Sequence, residues 1–206
     1  MTTAADFPLF PLDLVVLPGE AVPLHIFEER YKTMIETCRE RESEFGVVWL
    51  AADGLHDVGC ACRIDQVLEV LEDGRINLLT RGTRPLRLVE RQSHLPYPAA
   101  LVEFLSDIDE QPDAMLLVNT QSVYAELVHK ATDKRVDPDL LAAMSAYDMA
   151  ATVDFGLEAK QGLLDLRSEN ARLQLVIRLF RAALKRLDFV DRAQARAKSN
   201  GKVRFG

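Results

Sequence analysis

The sequence predicts an α+β protein: a curled antiparallel sheet or barrel carrying one packed helix, followed by a bundle of helices. Three observations predict it. From Phe45 to Leu105 apolar residues alternate or fall in short runs with turn signals between them, the period-two pattern of half-buried strands. Between Phe27 and Cys38, and again from Asp113 to Leu187, the apolar period changes to three and four, which lays one face of a helix against a core. The two regimes meet in an acidic, proline-bearing segment, SDIDEQPD at Ser106–Asp113. Many strands with little room for crossovers between them favour an antiparallel curled sheet over a parallel one.

The elements follow in order. Leu14–Leu17 is a short apolar run stopped by Pro18-Gly19, a pair that turns the chain because proline presets φ and glycine accepts positive φ. A buried strand ending in a tight turn is expected there. Ala21–Ile26 is extended again, and Pro23 assigns it to an edge or a bulge because proline has no N–H to give a ladder. A helix then starts at Phe27, with Phe27, Tyr31, Met34, Ile35 and Cys38 on its apolar face. Glu28 and Glu29 fall in its first turn, where the helix dipole favours anions, and Glu28 is spaced to pair with Lys32. Strands are expected over Phe45–Ala51, Val58–Leu71, Arg75–Glu90 and Ala99–Leu105, with Ile64, Leu68 and Val70 sharing one face and Ile76 and Leu78 another. Glu72-Asp73-Gly74 is a hairpin signal, and the strand after it is expected to bend at Gly82 or Pro85. Helical spacing covers Asp113–Lys130, Asp137–Ala151, Leu157–Leu166 and Glu169–Leu187. Asp137 before Pro138 reads as an N-cap with proline at the first helical position, and Ser168 is placed to cap the last helix. The expected organisation is a β-rich part at 1–108, a helical bundle at 109–190 and a flexible basic tail at 191–206.

The chain has 206 residues and a net charge of -7, with acids and bases interleaved, which argues against a broad phosphate-binding surface. The exception is the end, where Arg192, Arg196, Lys198, Lys202 and Arg204 face only Asp191. Apolar stretches stay well below the roughly 18 residues needed to span a bilayer, so no membrane association is expected. The first residues, MTTAADFP, lack the basic and apolar regions of a secretory signal, and a cytoplasmic protein is expected. Three cysteines are an odd number, which argues for reduced thiols rather than a disulfide framework.

No catalytic constellation stands out. The nearest approach to a metal site is His56, Cys60 and Cys62, but no second pair of ligands follows downstream, and cysteines on a strand are commonly small buried residues. His25, His94 and His129 are scattered relative to any cysteine, and no Gly-x-Ser-x-Gly elbow is present. Asp107, Asp109 and Glu110 lack the glycine and terminal glutamate of a calcium loop, and no cofactor is implied.

FPLFPL at Phe7–Leu12, VVLPGEAVPLHIFEERY at Val15–Tyr31 and FGVVWL at Phe45–Leu50 together resemble the start of the Lon amino-terminal substrate-binding domain family. Further matches come in order: Val58-Gly59, Asp73-Gly74-Arg75-Ile76, Gly82, and Lys160-Gln161 with Leu163-Leu164. The resemblance runs to about Leu187 and departs at Cys60-Ala61-Cys62, where the family more often carries small or hydroxylated residues. It implies a PUA-like pseudo-barrel and a protein that binds unfolded, hydrophobic or degradation-marked segments, with a separate protease or chaperone as partner. Full-length Lon-type proteases join such a domain to an ATPase and a peptidase, whereas this sequence has no Gly-x-x-x-x-Gly-Lys-Ser/Thr loop and is too short for either module. A standalone, non-enzymatic recognition module is therefore expected. Trp49, Phe27, Tyr31 and the Leu17-Pro18 turn are the residues expected to meet a client, against the plainer alternative of core packing. The competing readings are an RNA-binding PUA-like protein that uses the basic tail, and a metal or thiol enzyme built on His56, Cys60 and Cys62.

Overall fold

In the computed structural model, which describes residues 2–200, the proline-punctuated opening forms strand β1 (Thr2–Leu12). Strand β2 (Ala21–Ile26), helix α1 (Glu29–Glu40), and strands β3 (Phe45–Ala51), β4 (Gly54–Leu55), β5 (Val58–Val70), β6 (Ile76–Gln92) and β7 (Ala99–Phe104) follow. Then come helices α2 (Ala114–Thr132), α3 (Pro138–Ala143), α4 (Ala146–Ala150), α5 (Leu157–Asp165) and α6 (Glu169–Asn200). The strand path β1-β7-β6-β5-β3 returns on itself where Leu9–Leu12 of β1 pairs in parallel with Gly46–Trp49 of β3. β4 hangs from β3, and β2 pairs only with β6, taking over its edge where β7 ends. The result is the PUA-like pseudo-barrel of the α+β expectation, a partial ring of strands rather than a continuous barrel.

Phe7, Leu9, Val48, Ala61, Leu86, Ala100 and Val102 form the core of the ring, with Phe104 edge-on to Phe7 at 5.5 Å between centroids. Each large apolar side chain buried in this way contributes about 1.5–3 kcal/mol relative to exposure. The face of α1 carrying Tyr31, Met34, Ile35 and Cys38 is buried, and Tyr31 lies 4.2 Å from the ring of Phe10 on β1.

The hairpin at Glu72-Asp73-Gly74 forms as expected, with Gly74 at φ 79°, and β6 is irregular opposite the junction of Ala61 and Cys62, at Gly82–Arg84. There the Leu17 carbonyl crosses so closely that a Cβ on Gly82 would stand 2.2 Å from its oxygen, and the Gly19 N–H donates to the Gly82 carbonyl at 2.9 Å.

Several local expectations differ from the structure. Leu14–Leu17 is buried at Val15, Val16 and Leu17, yet it is not a strand. Its hydrogen bonds go to the Pro18-Gly19 turn, with Leu17 N–H donating to Glu20 Oε2 and Glu20 N–H to the Leu17 carbonyl. The helix starts two residues later than expected, because its N-cap Glu28 is still extended (ψ 136°), and the acid that pairs with Lys32 is Glu29, not Glu28. Register shifts at Ile64/Gln66 and Val67/Glu69 break the alternation of β5, which leaves Leu68 and Val70 exposed. The helix expected over Asp137–Ala151 is broken at Met144-Ser145, where Gln121 Nε2 donates to the Met144 carbonyl and Ala146 N–H to Glu169 Oε1.

The chain divides into two compact units: Met1–Glu110 with Tyr147–Ser168, and Gln111–Ala146 with the chain from Glu169 on. The stretch 147–168, expected within the helical bundle at 109–190, groups with the strands. α5 packs with the strands: Gln161 Nε2 donates to the Val58 carbonyl, and Lys160 Nζ meets Glu20 Oε1 at 2.5 Å. The helical unit has Asp113 and Asp137 as N-caps of α2 and α3, and Tyr124 on α2 lies 5.4 Å from Phe180 on α6. α6 continues to Asn200, so the expected tail is helical over 191–200; its remainder, 201–206, lies outside the described residues.

Candidate functional site

Strand β3 borders two clefts of the β-rich unit at Trp49 and Leu50. The first cleft, about 390 Å³, is apolar in lining. Phe10, Leu12 and Tyr31 line it together with Pro11 and Pro98, and Phe27 stands 61% exposed beside it. Phe27 escapes burial because it precedes the helix cap; it stacks instead on His25 at 5.9 Å. His25 Nδ1 in turn lies 2.6 Å from Asn77 Oδ1, which fixes the ring beneath it. Arg30 sits 4.7 Å over the Tyr31 ring and pairs with Glu28 at 2.8 Å, so the charged rim is internally neutralised. Burial raises the Tyr31 phenol above its ordinary pKa, with the nearby Arg30 acting in the other direction, so the phenol stays neutral at neutral pH.

The second cleft, about 800 Å³, holds the single tryptophan. Trp49 is only 9% exposed: Nε1 donates to Asp13 Oδ1 at 3.0 Å, and the His56 ring lies flat on the indole at 4.4 Å and 6°. Leu50, 49% exposed, lines both clefts.

Of the residues expected to meet a client, the structure brings Phe27 and Tyr31 together and places Trp49 in the neighbouring cleft. Leu17 is fully buried and Pro18 half-buried in the turn above Gly82; neither lines either cleft. Leu50 and Phe10 were missed: Leu50 ends an apolar run and Phe10 sits in the opening string, so nothing in the local pattern distinguishes them from core. His56, Cys60 and Cys62 do not converge. His56 is committed to Trp49, both thiols are fully buried, and among the described residues no group of three His, Cys, Asp or Glu is placed to hold a metal ion. Burial pushes the Cys60 thiol well above its ordinary pKa, which keeps it protonated and inert as a nucleophile. Of the basic groups near the end, Arg192 donates to the Asp188 carbonyl, and Lys202 and Arg204 lie outside the described residues. No helix among the described residues is long and apolar enough to cross a membrane.

The model of the ATP-dependent protease La (LON) substrate-binding domain matches residues 6–182. Lon protease of Escherichia coli is 23% identical over 212 residues, covering 94% of this chain and 27% of that protein. Lon protease of Anaeromyxobacter dehalogenans is 27% identical, covering 92% of this chain and 25% of that protein. The chain thus spans about a quarter of the length of the curated relatives it matches. Among solved structures, the Lon N-terminal domain protein from Xanthomonas campestris superposes with a TM-score of 0.66 at 24% identity, covering 86% of this chain and 98% of that one. That likeness repeats the fold found here, a pseudo-barrel with a helical C-terminal part. With its model matched from the sixth residue into the last helix, the chain belongs to the Lon substrate-binding domain family, a family of substrate-recognition modules.

Proposed function

We propose that the chain captures unfolded or degradation-marked protein segments by burying their apolar side chains in the cleft between Phe27 and Leu50. One observation carries this reading: two large apolar side chains stand exposed at the rim of an aromatic-lined cleft whose neighbouring charges already pair with each other. An extended or helical segment laid across it would remove apolar area from water, at about 25 cal/mol per Å². Membership of the substrate-binding family supports the same reading. By analogy with the Lon proteases it resembles, a proteolytic or chaperone partner would act on the captured segment.

A peptide array probed with folded protein tests this. Apolar and aromatic peptides should be retained, and retention should survive high salt, because apolar burial is screened little. Phe27→Ser should lose most of it. Failure of every apolar peptide to bind, or equal retention by the variant, would overturn the proposal.

A further inference from the structure

The second cleft differs from the first in chemistry, and its charges have no use in apolar capture. Four carboxylates line it: Asp13 and Asp53 from the strand-connecting segments, Glu158 and Asp165 from α5. All four are exposed, and no lysine or arginine lines the cleft among the described residues. The spacing on α5 is what a single helix face requires, since Glu158, Gln161, Gly162 and Asp165 are three, four and seven residues apart. On the same helix Lys160 is turned away and consumed by Glu20 at 2.5 Å. The acidic face therefore keeps its charge.

Acidic groups alone do not make a site, but two further features point to a ligand. Gln161 lines the cleft while only 4% exposed. Its Nε2 donates to the Val58 carbonyl at 3.2 Å and to Asp165 Oδ1 at 2.9 Å, while its Oε1 has no donor among the described residues. A buried acceptor left unpaired costs about 1–3 kcal/mol, so a donor arriving from the cleft would be favoured there. The other feature is the flat pair of His56 on Trp49, an aromatic stack of the kind on which a guanidinium lies face to face. Net negative charge, an unpaired acceptor and a planar stack ask for one ligand chemistry, a planar cation rich in N–H donors. The absence of any three-ligand cluster among the described residues argues against a metal ion.

We infer that this cleft binds an arginine side chain of the captured segment, so that the favoured substrate carries an arginine beside its apolar anchor. The inference rests on the apolar-capture reading for the anchor, and Leu50, which lines both clefts, is the ridge the segment crosses.

Trp49 is the only tryptophan, so its emission reports on this cleft directly. The test uses three tryptophan-free peptides with one apolar core and flanks of Arg-Arg, Ser-Ser or Glu-Glu, together with N-acetyl-arginine amide alone. The Arg-flanked peptide should bind about three- to tenfold more tightly than the Ser-flanked one, as expected for a few partly exposed ion pairs. It alone among the peptides should shift Trp49 emission. The advantage should shrink from about 0.1 M to about 1 M salt, where the Debye length falls from about 10 Å to about 3 Å. Asp53→Asn with Glu158→Gln, two exposed positions, should erase the advantage and leave Ser-flanked binding unchanged. If Arg- and Ser-flanked peptides bind equally, the basic-residue inference is wrong and apolar capture stands. If no peptide binds but the arginine amide saturably shifts Trp49 emission, apolar capture is wrong and the cation site stands. Silence from every probe overturns both.

Discussion

The two clefts that meet at Leu50 of β3 differ in nearly every physical respect. The apolar cleft is lined mainly by β1 and the β2–α1 junction, with Leu50 and Pro98 added from further along the chain, and its charges close on each other as Arg30 with Glu28. The acidic cleft joins the β3–β5 region to a helix about a hundred residues downstream, and among the described residues no lysine or arginine lines it. Trp49 lines only the acidic cleft and Leu50 lines both, so on the readings proposed above one cleft would select by burial and its neighbour by charge.

The sharpest way to break the contrast is to loosen only one side. Lys160→Met leaves the nearly buried Glu20 carboxylate without its partner and should cost about 3 kcal/mol of stability, read as a lower urea midpoint. Because α5 supplies half of the acidic carboxylates, discrimination for basic flanks should fall while binding of neutral apolar peptides survives. Loss of both together would show that the clefts are not independent.

A smaller change should act on the other side alone. Phe27→Ala should weaken apolar peptides about tenfold, the size of one interface anchor, and alter stability by less than about 0.5 kcal/mol because the ring is mostly exposed. A large fall in stability would mean that Phe27 is packed rather than presented. Trp49→Phe comes next. It removes the hydrogen bond to Asp13 and shrinks the stack on His56, with an expected cost of about 1 kcal/mol by thermal melt and a weaker preference for Arg flanks.

The smallest effect concerns alkaline pH. Burial raises the folded-state pKa of the Cys60 thiol and of the Tyr31 phenol. Below the unfolded values of about 9.0 and 10.0 both states hold these protons and stability is independent of them. Above those values the unfolded chain releases protons that the folded chain retains, so stability falls as pH rises. Cys60→Ala should make the fall above pH 9 shallower in urea melts; an unchanged slope would exclude the thiol as its source.

Much of the fold was legible because its signals are local. The α1 face, the Gly74 hairpin, the Asp137-Pro138 cap and the Pro23 edge strand each depend on residues a few positions apart. What escaped depends on distant partners. The parallel contact of Leu9–Leu12 with Gly46–Trp49 leaves no mark in either strand's own pattern, and the burial of Leu14–Leu17 without strand pairing comes from the approach of Gly82. α5 has the spacing of an amphipathic helix whichever unit it joins, so only the structure assigns it to the β-rich one.

For the candidate site, the aromatic pattern picked out Phe27 and Tyr31, which line one cleft, but exposure was not readable: a two-residue shift in the helix start decides that Phe27 is presented rather than buried. The acidic face of α5 was visible as spacing at 158, 161, 162 and 165 and gains meaning only once Trp49 and His56 stand opposite it.

Hydrogen exchange with and without a saturating apolar peptide tests the central claim most directly. Capture at the cleft predicts slowed exchange at His25–Tyr31 and at Trp49–Ala51, with little change in α2. Protection confined to the helical unit, or unchanged exchange at those two segments while peptide is bound, would contradict it.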